Sequence, residues 1–321
     1  MYESFYLRAF SRERPLGAWI RYTAHKRPGS PPRGSVWFTL FDAAREAPVQ
    51  RKVTSELLRA PADRWIAIDT ATLGPAGAEG SCEGAGWSLR WQPLAPPLPH
   101  LRPAALYRAP LPRTKLTSPA LLAEFAGTIT PPGGAPVAVE GWQGMVGHNW
   151  GSEHAERWIW LHGAGFEQDP SAWLDVSLGR VRVAGRTTPW LASGALSLRG
   201  RLHRLGGLAA RGLEVSESAL GASLRLPGQG GLTVSATISS PPALRAGWRY
   251  ADPDSDTEAG TGEHDVVNCS LARLALTVSL PDGETVVLSS AHGGAYELGM
   301  RTPADGEPAA HDVTLAPYGD G

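Results

Sequence analysis

The sequence predicts an all-β protein built as two tandem antiparallel β-barrels. Three observations carry this. Gly (38) and Pro (28) are abundant among the 321 residues while charged residues are sparse at 19%, a composition of short elements joined by turns. Apolar and polar residues alternate with a period of two along most of the chain, and helical periodicity is nearly absent, with only 54–60 and 118–124 coming close. The chain also reads as one pattern written twice. Regularly spaced antiparallel strands fit sandwiches or barrels, and a barrel suits ligand binding because closure creates an interior whose lining alternates with the outer face.

In the first half the alternation predicts strands at 17–24, 35–42, 49–56, 65–69, 87–92, 122–130 and 136–142. In the second half it predicts 157–166, 171–183, 188–198, 212–217, 221–226, 231–239, 265–279 and 284–291. Pro/Gly turns such as Pro132-Gly133-Gly134 and Pro281-Asp282-Gly283 each close a hairpin between alternating strands. Residues 26–34 read as a hairpin tip, and 252–265, acidic and Gly-rich, as a solvated loop. The proline run 93–103 reads as an extended strap within the first half.

The duplication rests on two matches in the same order. Ala18-Trp19-Ile20-Arg21-Tyr22 pairs with Arg157-Trp158-Ile159-Trp160-Leu161, followed by 35–40 with 171–176. Near the end of each half, 122–130 aligns without a gap with 271–279 and runs through the turn into a second strand. The expected units are therefore residues 1–146 and 147–321. Trp19/Trp158 and Trp37/Trp173 recur in both and read as core markers of the repeat.

Chemistry concentrates where the second copy begins. Residues 147–162 hold three of the nine histidines and three of the twelve tryptophans. Alternation places Trp158, Trp160 and His162 on one strand face, and Trp173, Asp175 and Ser177 on one face of the next. A hairpin joining like faces brings indoles, an imidazole and a carboxylate together. Asp175 in an apolar strand then has two open placements. Facing inward, it is a neutral carboxylic acid able to donate a proton; otherwise it faces outward or pairs with Arg180 or Arg182. His148 and Asn149 lie between Gly147 and Gly151, so a sharp turn and a ligand contact both fit them.

Other functions are excluded or disfavoured. A net charge of −1 without a basic run argues against nucleic acid. No apolar run approaches a membrane span, the N-terminus lacks a leader pattern, and Cys82 and Cys269 read as free thiols, so a cytoplasmic setting is expected. The histidine spacing fits no standard zinc motif, and no phosphate loop or nucleophile elbow occurs, so neither metal nor cofactor is expected.

Glu3-Ser4-Phe5-Tyr6-Leu7-Arg8-Ala9, Trp19-Ile20-Arg21-Tyr22-Thr23, His148-Asn149-Trp150-Gly151 and Trp158-x-Trp160 resemble the lipocalin-like superfamily of carotenoid 1,2-hydratases (hydroxyneurosporene synthases) and tocopherol cyclases. Pro112-Arg113-Thr114-Lys115 and Asn268-Cys269-Ser270-Leu271-Ala272 resemble a bacterial branch of that group. The resemblance implies two lipocalin-like barrels in tandem, an architecture also found in pericyclases. It further implies cofactor-free chemistry on a lipophilic polyene or terpenoid: an acid protonates an alkene, aromatic rings stabilise the cation, and water or an internal hydroxyl captures it. On this reading Asp175 or His148 supplies the acid, and Asn149, Trp150, Trp158, Trp160 and His162 contact the substrate. The alternative is a non-catalytic carrier for a hydrophobic metabolite. Few tyrosines adjoin the central motif, a departure from the hydratases that bears on the carotenoid substrate.

Overall fold

The computed structural model describes residues 1–26, 29–251 and 263–301. The first antiparallel sheet contains β1 (Tyr2–Phe10), β2 (Leu16–His25), β3 (Arg33–Asp42), β4 (Val49–Ser55), β5 (Leu58–Arg59), β6 (Ile66–Ile68), β7 (Ala71–Leu73), β8 (Gly77–Cys82), β9 (Ala85–Pro93), β10 (Leu98–Pro99), β11 (Thr114–Thr130) and β12 (Val137–Gly151). Its order is β4-β3-β2-β1-β12-β11-β9-β8-β7-β6-β5, with β10 alongside β11.

The second half contributes β13 (Arg157–Gly163), β14 (Trp173–Arg180), β15 (Arg182–Val183), β16 (Arg186–Thr187), β17 (Leu191–Leu198), β18 (Arg201–Gly206), β19 (Glu214–Ser218), β20 (Gly221–Pro227), β21 (Thr233–Ser239), β22 (Ala246–Ala251), β23 (Glu263–Ser279) and β24 (Thr285–Arg301). Ten of these form the second sheet in the order β18-β17-β14-β13-β24-β23-β21-β20-β19, with β22 alongside β23; β15 and β16 form a separate hairpin. A bridge between Leu205 and Gly228 joins β18 to the end of β20, so eight strands nearly close on themselves. The expectation of an all-β chain with tandem antiparallel barrels holds in its architecture: each half builds its own sheet, and one of them is a nearly closed barrel.

The two long hairpins share one irregularity at the same place. Ala120 faces Val146 and Ala123 faces Gly144, with register shifts on either side of Ala120. Cys269 faces Tyr296 and Ala272 faces Gly294, with a shift between them as there is between Ala120 and Ala123. The other match is displaced by one strand. β13 pairs with β24 as β1 pairs with β12, so Arg157–Gly163 occupies the position of Tyr2–Phe10, not that of Trp19. β1 itself escapes the alternation rule because it is covered on both sides. Phe5, Leu7 and Ala9 enter the first core, while Arg8 and Phe10 are buried on the other face.

Each sheet has its own interior. Leu7, Ile20, Tyr22, Phe38 and Phe125 fill the first, where Trp87 Nε1 donates to the Tyr22 hydroxyl at 2.8 Å. Ile159, Leu161, Leu174, Val176 and Tyr296 belong to the second. Trp19 and Trp37 are buried core residues, as expected, but they belong to the second cluster and reach it from the outer face of the first sheet. There they pack against Trp248 of β22 at 6.1 and 5.1 Å. The second cluster therefore extends across to the first half through Phe10, Trp19, Trp37 and Phe41.

Arg8 joins the sheets at their centre. Its fully buried guanidinium donates to the Ser270 carbonyl from Nε (3.2 Å) and Nη2 (2.9 Å), and to His162 Nδ1 from Nη1 (2.9 Å). The chain crosses between sheets after Gly151, not at 146/147: Gly147–Gly151 remain in β12, paired with β1. The strap also reaches farther than expected. It stays paired with β11 through β10 and from there lies over the outer face of β14 and β17, where Arg204 Nη1 donates to the Pro99 carbonyl at 2.8 Å and His100 bonds to Asp175 and Ser193. Residues 252–262 of the expected acidic loop fall outside the described residues. Cys82 and Cys269 are buried free thiols.

Candidate functional site

A cavity of about 420 Å³ lies between the two sheets rather than inside either. One wall is the outer face of β1 and β2, with Tyr2, Tyr6, Trp19 and Arg21; the opposite wall is that of β13, β14 and β17, with Trp158, Trp160, Ser177 and Ser193. The strap from Leu101 to Leu116 roofs it. This roof is tied down by polar bonds. Lys115 Nζ donates to the carbonyls of Leu106 (2.7 Å), Ala109 (2.9 Å) and Pro112, and the Tyr107 hydroxyl donates to the Leu116 carbonyl (2.7 Å).

The hairpin geometry read from alternation is present. His162 faces Asp175 and Trp160 faces Ser177 across β13 and β14, while Ile159 and Leu161 point the other way into the second core. Asp175 is fully buried and accepts three hydrogen bonds. Trp160 Nε1 donates to Oδ1 at 3.0 Å; Ser118 Oγ (2.6 Å) and His100 Nε2 (3.1 Å) donate to Oδ2. Burial pushes the carboxyl pKa up, but the facing His100 and the bonds from His100 and Ser118 outweigh it and hold the group below its usual range. His100 Nδ1 lies 3.2 Å from the Ser193 carbonyl, so both ring nitrogens face acceptors.

This corrects two expectations about Asp175. It is an ionised acceptor, not a neutral proton donor, and its partner is His100 on the strap rather than Arg180 or Arg182. It does not line the cavity; it fixes the edge of Trp160, which does. His162 is also behind the wall. Its Nε2 donates to the Leu121 carbonyl at 3.0 Å, and its Nδ1 accepts from Arg8. Burial and the adjacent guanidinium lower its pKa to about 4, so it is a neutral structural bridge.

β12 divides the other candidates. Asn149 lines the cavity, and its Oδ1 is buried without a hydrogen-bond partner. His148 and Trp150 alternate to the opposite side and do not line it. His148 Nε2 bonds Glu3 at 3.0 Å, its ring stacks on Phe5 (4.0 Å) and Trp150 (4.6 Å), and Trp150 stacks in turn on Tyr107 (5.9 Å). Gly147 has a local reason: a methyl group there would overlap the Tyr6 ring, which lies over it. Gly299 similarly makes room for the Trp158 indole. The Trp158 Nε1 donates to Glu297 Oε1 at 3.0 Å.

Sequence reasoning missed Tyr6, Arg21, Tyr250 and Glu297, all lining the cavity. Tyr6 stands edge-on to Trp160 at 5.4 Å. Burial, then the charges of Asp175 and Glu297, raise its pKa well above the ordinary phenol value, so its hydroxyl keeps its proton. Glu297 Oε2 accepts from Tyr250 (3.3 Å) and Asn268 (3.1 Å). Alternation gave one usable signal, since Tyr6 sits between Phe5 and Leu7, and Arg21 between Ile20 and Tyr22, on the face opposite those core residues. Among the described residues no three His, Cys, Asp or Glu side chains converge as a metal site requires.

The fold and its inter-sheet cavity define a class: all-β proteins with two lipocalin-like units in tandem. Solved structures sharing it include CghA in complex with Sch210972, with a TM-score of 0.63 and 10% identity over 95% of this chain and 89% of that one. An AttH-like protein from Nitrosomonas europaea gives 0.57 at 13% identity, over 93% and 92% of the two chains. Kievitone hydratase from Nectria haematococca gives 0.55 at 8% identity, over 93% and 88%. At the level of sequence, the uncharacterized protein Rv0493c of Mycobacterium tuberculosis is 27% identical over 146 residues, 46% of this chain. That match spans 44% of the relative's own length. No family model matches the chain.

Proposed function

We propose that this protein is a cofactor-independent enzyme that folds a lipophilic, polyene- or terpenoid-type substrate between its two barrels and promotes hydration, cyclisation or isomerisation there. The observation that carries the reading is the cavity: about 420 Å³, walled by the rings of Tyr2, Tyr6, Trp19, Trp158, Trp160 and Tyr250, with a few polar groups turned inward. That is the make-up of a small-molecule site rather than of a packing defect.

The chemistry follows from what the walls offer. Holding a flexible chain in one folded shape replaces an entropic search with a bound near-attack geometry. Indole and phenol faces stabilise positive charge developing on carbon. The Tyr6 hydroxyl, kept protonated by its surroundings, donates to an oxygen that gains charge. Asp175 acts at one remove by holding Trp160. Kievitone hydratase and ligand-bound CghA, two proteins of the same fold, support action on a small hydrophobic molecule. The carotenoid hydratase and tocopherol cyclase reactions implied by the motifs are members of this wider class.

Mass spectrometry of the compound retained by the purified protein, before and after incubation, tests the reading. We expect conversion of that compound or of a close lipophilic analogue. Tyr6→Phe is expected to slow turnover on the order of 10²-fold with little change in affinity. A compound bound tightly and returned unchanged would make the protein a carrier instead.

A further inference from the structure

Arg21 is a buried cation without an anion. Its side chain is 5% exposed, yet the cavity reaches it. Nε donates to Ser4 Oγ at 2.7 Å, and the guanidinium carbon lies 4.0 Å over the Tyr250 ring. Nη1, with two N–H groups, is buried and has no hydrogen-bond partner. No ion pair to Arg21 exists among the described residues. The nearby carboxylates are committed elsewhere: Glu297 to Trp158, Tyr250 and Asn268, and Asp175 to Trp160, Ser118 and His100. A second cation is close. Lys52 Nζ sits 4.0 Å over the Trp37 ring, and burial and then Arg21 lower its pKa to about 8.

An unneutralised guanidinium removed from water is unfavourable unless something of opposite charge completes it. Its orphaned N–H groups match a carboxylate, the acceptor that a guanidinium fork fits best. Most of the remaining lining near Arg21 is aromatic, with Tyr2, Tyr6, Trp19, Trp158, Trp160 and Tyr250, which favours a ligand with an apolar body over a small hydrophilic anion. Asn149 is the other lining side chain with an orphaned buried atom. It lies across β1 from the Arg21 strand, facing Ser4, the residue that accepts from Arg21.

We propose that the inter-barrel cavity takes a lipophilic carboxylic acid, its carboxylate on Arg21, its apolar body along Trp19, Trp158 and Trp160, and a hydroxyl where present on Asn149. This rests on the reading of that cavity as the ligand site and names the class of ligand. The test is titration at pH 8 with cis-parinaric acid and with its methyl ester, followed by energy transfer from tryptophan. The acid is expected to bind the wild-type protein roughly 10- to 100-fold more tightly than the ester. Arg21→Met is expected to abolish that gap by weakening the acid alone, and Arg21→Lys to retain part of it.

Equal affinity of acid and ester for the wild-type protein, or a gap that survives in folded Arg21→Met, would overturn the assignment while leaving the cavity as a binding site. Failure of both probes to bind would overturn the cavity reading together with the proposal. Should Arg21→Met not fold, the wild-type comparison and Arg21→Lys decide the matter.

Discussion

Asp175 accepts hydrogen bonds from Trp160, Ser118 and His100 and donates none, so its removal takes the carboxylate from all three and leaves Ser118 and His100 only each other, at 3.1 Å. Asp175→Leu is expected to cost about 3–5 kcal/mol, read from urea denaturation, because it leaves the His100 ring without its buried carboxylate. His162 shares the response to acid with His154 and His264, whose pKa values burial also lowers. Its folded pKa is about 4 against an ordinary 6.5. Between those values the unfolded chain binds a proton that the folded chain does not, so stability is complete above about pH 6.5 and falls as the pH drops toward 4. This amounts to about 3 kcal/mol. His162→Gln, which offers the same donor and acceptor without titrating, should make the stability curve shallower over that window, the remaining slope coming from His154 and His264. Asp175, with its lowered pKa, adds a further loss below the ordinary carboxylate value as the pH falls through its folded one. At this scale sequence alternation identified the shared faces of Trp160, His162, Asp175 and Ser177. It could not show that His100, 75 residues away, and Arg8, 154 residues away from His162, complete those groups.

Strands were legible where one face is dry and the other wet, as in β9, whose exposure alternates from Trp87 to Gln92. β1 was not, because both its faces are covered: Ser4, Arg8 and Phe10 are buried on one face as Phe5, Leu7 and Ala9 are on the other. Missing it displaced the start of the repeat by one strand and made Trp158 look like a counterpart of Trp19. The strap was read as a local crossing because proline fixes its extended shape but not the surface it lies on. Close approaches give this scale its test. Gly299 faces the Trp158 indole with no room for a methyl group. Gly299→Ala is expected to cost about 1–3 kcal/mol by overpacking and to turn Trp158 from its place in the wall. The accompanying signs would be an altered tryptophan emission and ligand binding weakened by about tenfold, measured in one titration.

Across the whole molecule, the second hydrophobic cluster incorporates Phe10, Trp19, Trp37 and Phe41 from the first half, and Arg8 bonds to both β13 and β23. The two sheets are therefore expected to melt as one unit, with a calorimetric enthalpy equal to the van't Hoff value. Arg8→Met is expected to lower stability by about 3 kcal/mol through the unpaired Ser270 carbonyl and to split the transition in two. A wild-type protein with two resolved transitions would refute the shared core. Duplication was legible in the hairpins because the strand pattern and the Pro/Gly turn recur together there; the cavity was not, since it exists only once both copies are docked. Its roof, from Leu101 to Leu116, crosses the second sheet without joining its strand ladder. Descendants of this chain could thus exchange roof residues such as Leu101, Leu106 and Leu111 and reshape the cavity, while inheriting the strand ladders of both sheets intact.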